Sequence, residues 1–102
     1  MVLYWAHLIP EERKGILQVR AMGSKDMPKS GIFATCSPMR PNPILLSPVR
    51  LMRRRGNVLL AKGLEALVGS PIVDVKPYIK DYHCIEEATV PQWVKRLAEE
   101  TA

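Results

Sequence analysis

Aromatic residues are scarce in this 102-residue chain: two Trp, three Tyr and one Phe. They fall at Tyr4, Trp5, Phe33, Tyr78, Tyr82 and Trp93, a spacing that does not make a base-stacking platform. The chain also lacks any run of about 20 apolar residues, which excludes a helical membrane span. No basic segment followed by a long apolar stretch opens the chain, so no signal peptide is expected. Cysteine is limited to Cys36 and Cys84, and histidine to His7 and His83, with no metal-ligand spacing. No metal is therefore expected. The two cysteines either pair or remain free thiols, and free thiols in the cytoplasm are the expectation.

What is present is ordinary in proportion and uneven in placement. One domain over residues 1–102 is expected at this length, burying about 65% of the unfolded surface. The net charge of +5 suits an anionic partner such as RNA without requiring one. Five of the nine prolines fall in two blocks. The first runs Gly31-Ile32-Phe33-Ala34-Thr35-Cys36-Ser37-Pro38-Met39-Arg40-Pro41-Asn42-Pro43-Ile44. The second runs Gly69-Ser70-Pro71-Ile72-Val73-Asp74-Val75-Lys76-Pro77-Tyr78. Proline fixes its own φ and restrains the residue before it. Arg40, Asn42, Asp74, Lys76 and Tyr78 should therefore be held in place, as groups presented to a ligand are.

The pattern of the chain is mostly β. Val2–Leu8 reads as a buried strand, Pro10–Gly15 as a turn, and Ile16–Arg20 as a half-buried strand. Ala21–Ser30 reads as a flexible loop and Gly31–Thr35 as a short strand leading into a rigid turn at Cys36–Pro43. Ile44–Arg54 and Val58–Lys62 read as a hairpin about Arg55-Gly56-Asn57, edge-like or bulged at Pro48. Leu64–Val68 turns the chain, and Pro71–Ile79 is a further strand. Thr89-Val90-Pro91-Gln92 matches a capping box, and Trp93, Val94, Leu97 and Ala98 follow at helical spacing. A short C-terminal helix is expected to run to about Glu100.

The two blocks, in this order and joined by a hairpin, resemble the TsaA-like family, whose characterised members are the TrmO tRNA methyltransferases. The family pattern runs approximately G-[VI]-F-A-T-R-S-x-x-R-P-N-P-I-G-[LM]-S, then a hairpin, then G-L-[DE]-x-x-D-G-[TS]-P-[VI]-x-D-[IV]-K-P-Y. The resemblance covers the chain from the Tyr4-Trp5-Ala6-His7 strand to about Ile79. It implies a small single-domain β-barrel, here short at the N-terminus, with S-adenosylmethionine bound at a homodimer interface. It implies methyl transfer to the exocyclic nitrogen of a threonylcarbamoyl-modified adenosine beside the tRNA anticodon. Cofactor contacts carried over by the resemblance fall on His7, Leu8, Cys36, Leu46, Leu67, Val68, Gly69 and Ser70. Three positions depart from the pattern: Cys36 replaces an Arg, Leu45 a Gly, and Val68 an Asp. Strands that family members carry ahead of Tyr4 are absent from this sequence, which leaves an unpaired edge for a second copy to cover. A homodimer or higher oligomer is expected.

The remaining side chains carry paired readings. Asp74 either hydrogen-bonds an amine of substrate or cofactor, or pairs with Lys76 or Arg40 to hold the two turns together. Tyr78 either lies against a base or sulfonium or caps the core. Arg40 and Lys76 either contact RNA phosphate or pair with Asp74. Asn42 locks its own turn or touches ligand. Arg53, Arg54 and Arg55 form either a clamp on the tRNA backbone or a solvated hairpin tip that blunts an edge. The functional alternatives are a catalytically inactive homologue serving as an RNA-binding or dimerisation module, and a cofactor-dependent enzyme acting on another substrate.

Overall fold

The computed structural model describes residues 1–101 and, of these, the side chains of residues 1–100. The first strand, β1 (Val2–Trp5), lies at the centre of a three-stranded antiparallel sheet, between β4 (Ile44–Ser47) and β7 (Ile72–Val75). Val2 and Tyr4 point to its covered side and are buried. Tyr4 meets Ser47, whose hydroxyl donates to the phenol oxygen at 3.4 Å, so the one buried polar side chain of this sheet is partnered.

Strand β1 ends three residues before the expected Leu8, and prolines on both sides supply the reason. The Trp5 N–H donates to the Pro71 carbonyl at 2.9 Å and the Ala6 N–H to the Pro43 carbonyl at 2.8 Å. Both prolines accept a ladder bond and neither has an N–H to return one, so pairing stops on both edges together. The chain then turns, with the Ile9 N–H donating to the Ala6 carbonyl. His7 and Leu8 therefore sit in a turn above the sheet.

A second, two-stranded sheet joins β2 (Gln18–Arg20) to β3 (Lys29–Gly31). The segment between them, read from sequence as a flexible loop, is anchored. It holds a 3-10 turn at Ala21–Gly23, and Met27 within it is fully buried. Arg20 ties it down by donating from Nη1 to the Met27 carbonyl at 2.6 Å. The expected strand at Gly31–Thr35 is likewise corrected: β3 ends at Gly31, and Ile32–Ala34 forms a 3-10 turn. Both the amide and the hydroxyl of Thr35 donate to the Ile32 carbonyl, at 3.1 and 2.8 Å, and this closes the turn around the buried Ile32.

The expected long strand Ile44–Arg54 is broken at Pro48 and Val49 into β4 and β5 (Arg50–Arg55). β5 pairs with β6 (Val58–Lys62) in a third sheet, with a bulge between Leu51 and Arg53. Gly56 at its tip has φ 61, the left-handed value a tight hairpin requires. Strand β7 is shorter than Pro71–Ile79 and gives way near Pro77 to a short helix, α1 (Lys80–His83), that the sequence pattern did not reveal. The C-terminal helix, α2 (Gln92–Thr101), forms as expected but begins at Gln92, so the capping box at Thr89 does not open it; it half-buries Trp93, Val94 and Leu97 along one face. Among the described residues the strands form these three separate sheets; the fold is β-rich with a short C-terminal helix.

Candidate functional site

The Cys36–Pro43 turn is held by side chains bonding to its own backbone. The Ser37 amide donates to Thr35 Oγ1 at 3.2 Å, and the Met39 amide to Ser37 Oγ at 3.2 Å. Arg40 spans the turn, its Nη1 donating to the carbonyls of Thr35 at 2.9 Å and Ser37 at 3.0 Å. Its guanidinium also lies 5.7 Å from the centre of the Phe33 ring. Arg40 thus braces its own loop, in place of the expected ion pair with Asp74. At Asn42 the bond is main-chain: the Ile44 amide donates to the Asn42 carbonyl at 2.7 Å.

The second block turns over Leu67–Ser70. Ser70 donates to the Leu67 carbonyl from its amide at 3.0 Å and from its hydroxyl at 2.6 Å. Gly69 has φ 88, a conformation L side chains resist. A Cβ there would lie 3.6 Å from His7 Nε2, so this turn and the turn after β1 are neighbours.

Between the two blocks lie two adjoining clefts with Tyr4, Pro38, Leu45 and Glu65 in both linings. The smaller, about 220 Å³, is mostly apolar and adds His7, Leu8, Leu67 and Ser70. The larger, about 470 Å³, adds Thr35, Cys36, Arg40 and Leu46. The structure therefore brings His7, Leu8, Leu67, Ser70, Cys36 and Leu46 to one place, with Gly69 beside His7. Val68 is wholly exposed and lines neither cleft. Of the three departures from the family pattern, Cys36 and Leu45 line the clefts. Glu65 was missed as a candidate, although it occupies the acidic position of the Gly-Leu-[Asp/Glu] element in that pattern.

Asp74, Lys76 and Tyr78 line neither cleft. Lys76 Nζ lies 2.9 Å from Asp74 Oδ2, and the Val75 amide donates to Asp74 Oδ1 at 2.8 Å. The hydrogen bond from Lys76, then that from Val75 and the lysine charge, hold the Asp74 carboxyl below the usual aspartate range. Tyr78 stacks on His83 of α1, ring centres 5.5 Å apart. Arg53, Arg54 and Arg55 face Leu60, Leu59 and Val58 across the hairpin, and all three are exposed. Among the described residues no group of three or more His, Cys, Asp or Glu side chains is placed to hold a metal, and no helix is long and apolar enough to cross a membrane.

Comparison with known proteins gives the family. Residues 1–84 match the family described as the tRNA-methyltransferase O N-terminal domain. The chain belongs to this family. A probable S-adenosyl-L-methionine-binding protein of Archaeoglobus fulgidus is 43% identical over 90 residues, covering 88% of this chain and 23% of that protein. A protein of the same description from Methanothermobacter thermautotrophicus is 44% identical over 80 residues, covering 78% of this chain and 54% of its own length. The tRNA (adenine(37)-N6)-methyltransferase of Rattus norvegicus is 43% identical over 54 residues, covering 53% of this chain and 12% of that enzyme. Against the two archaeal relatives, the chain spans between about a quarter and about half of their length. The clefts lie wholly within the part matched to the tRNA-methyltransferase O domain, whereas α2 lies beyond it.

Proposed function

We propose that this chain binds S-adenosylmethionine in the paired clefts and serves methyl transfer to the exocyclic nitrogen of a modified adenosine beside a tRNA anticodon. The observation that carries the reading is the convergence of His7, Leu8, Cys36, Leu46, Leu67 and Ser70 on adjoining cavities. The donor set fits the cofactor's chemistry. The smaller cleft, apolar and edged by His7 and Ser70, suits a heteroaromatic ring. The larger cleft offers Glu65 to an ammonium and Arg40 to a carboxylate, a cationic role that Cys36 in its present form does not fill.

When bound, the cofactor supplies an electrophilic methyl group. The protein's task is to hold an amine in line with it, and orientation alone lowers such a barrier by about 7–11 kcal/mol. Asp74, kept ionised by Lys76, accepts a hydrogen bond from the target amine, and Tyr78 offers its ring to the base. Since neither lines the clefts of its own chain, both reach a reacting amine from a second copy. The proposed active form is accordingly a homodimer, each chain one domain over residues 1–102, with the barrel completed by pairing between copies. An unpaired anticodon-loop base can be splayed into such a site without breaking a duplex. Arg53, Arg54 and Arg55 then hold the tRNA backbone, with Asn42 at the rim, and the reaction belongs to the cytoplasm.

Calorimetry with S-adenosylmethionine and S-adenosylhomocysteine tests the reading. Binding is expected, weakened by His7→Ala and Glu65→Gln; no heat at millimolar cofactor ends the proposal. Nucleoside mass spectrometry of bulk tRNA after incubation with cofactor then identifies the methylated base. Cofactor binding without a methylated nucleoside leaves the non-catalytic alternative standing.

A further inference from the structure

A third cleft, of about 430 Å³, opens between the Arg20–Pro28 segment and α2, and shares no lining residue with the two above. Its walls bring together three cations, Arg20, Lys25 and Arg96, one carboxylate, Asp26, and the indole of Trp93. Arg20 is fixed from below by its bond to the carbonyl of the buried Met27, and Trp93 is half-buried. Arg96 faces Glu100 at 4.0 Å, both exposed, a loose pair that exchanges readily for a stronger anion. Cations around an aromatic face are what unpaired nucleic acid requires: backbone phosphates take the charges while a base stacks on the ring. A duplex would keep its bases stacked inside and leave the indole unused.

We propose that this cleft holds a single-stranded stretch of RNA, its phosphates on Arg20, Lys25 and Arg96 and one base against Trp93. The RNA substrate class rests on the tRNA reading above, but the contact is separate from the cofactor clefts and is built partly by residues beyond the matched family segment. It assigns α2 the task of completing an RNA surface.

The test uses the full chain and a fluorescein-labelled eight-nucleotide oligouridylate, with a duplex RNA of equal length and a polyglutamate peptide as competitors. Lys25 and Arg96 are exposed, so Lys25→Gln with Arg96→Gln leaves the fold intact by circular dichroism. The double variant is expected to bind the oligonucleotide about tenfold more weakly and to reduce the salt slope by about 1.4, at about 0.7 per phosphate contact on a single strand. Trp93→Leu is expected to lose about tenfold, and Trp93→Phe to recover most of it. In a Trp5→Phe chain, Trp93 is the remaining indole and should be quenched by the oligonucleotide. An unchanged affinity and slope in the double variant overturns the proposal, as does polyglutamate competing as well as RNA. Cofactor calorimetry on the same double variant should match the unmodified chain. RNA binding that depends on Trp93 in a chain without cofactor affinity would remove the methyltransferase reading and leave this one.

Discussion

Asp74 and Lys76 lie two residues apart, on either side of the end of β7, and their pairing fixes a charge state. Because the folded carboxyl is held below the ordinary aspartate value, its contribution to stability is fully present above that value, about pH 4. It is lost as pH falls through the lowered folded value. Both side chains are exposed, so the effect on stability is small. Lys76→Met should raise the Asp74 pKa towards its ordinary value, as read from the carboxyl carbon in an NMR pH titration; an unmoved titration would show that the Val75 amide alone sets it. Gly69 carries a different constraint. With φ 88, Gly69→Ala should cost about 1–2 kcal/mol through the backbone, since the added Cβ meets His7 only at an ordinary contact distance. Thermal denaturation should show a fall of about 4–8 °C per kcal/mol, with Gly15→Ala, which meets nothing, as the unstrained comparison. Single residues were unevenly legible in sequence. Gly69 stood out by its motif. Glu65 carried the same motif signal and was passed over, whereas the buried Met27 had none, because a methionine in a polar loop has no periodicity to mark it.

The β5–β6 hairpin is exposed along its whole length, and its arginines divide by face. Alternation places Arg53 and Arg55 on one side and Arg54 on the other. If both faces of the tip hold tRNA, Arg53→Gln with Arg55→Gln should flatten the salt dependence of tRNA binding by nearly 2 on a duplex backbone, and Arg54→Gln alone by nearly 1. Equal slopes for all variants would leave the arginines as a solvated edge. At this scale the hairpin and α2 were legible, since turn glycine and helical spacing are local signals. The strand ends were not. β1 stops where Pro43 and Pro71 arrive from distant parts of the chain, which no local pattern at Ala6 or His7 can announce. The 3-10 turn at Ile32–Ala34 was read as a strand because its residues are apolar; the Thr35 bonds that curl it are equally invisible to hydropathy.

For the molecule as a whole, the exposed surface is the telling quantity. The chain exposes 8260 Å² at a mass of 11.5 kDa, against about 5,800 Å² for a compact monomer of that mass. Its radius of gyration of 15.6 Å likewise exceeds the roughly 13 Å of a compact chain this long. Much of the excess is apolar: Leu51, Met52, Leu59 and Val75 are each more than half exposed. Two chains that removed this excess together would bury an area in the range of obligate dimers. Light scattering should therefore give a dimer or larger species at micromolar concentration, and a monomer would count against the homodimer in the proposed reaction. The family was legible because its motif is dense in proline and glycine. The described strands form three separate sheets, and the meeting of sheet edges that closure requires is a property of no one strand.

The central sheet also dictates an order of events. Its middle strand lies far in sequence from both neighbours: Val2 pairs with Ser47 on one side and Val75 on the other. The hairpin β5–β6 is local and can close within about 1–10 microseconds. β1, in contrast, has no complete pair of neighbours until β7, far along the sequence, has been made. The floor of the paired clefts, which rests on Tyr4, can thus close only after β7 is in place.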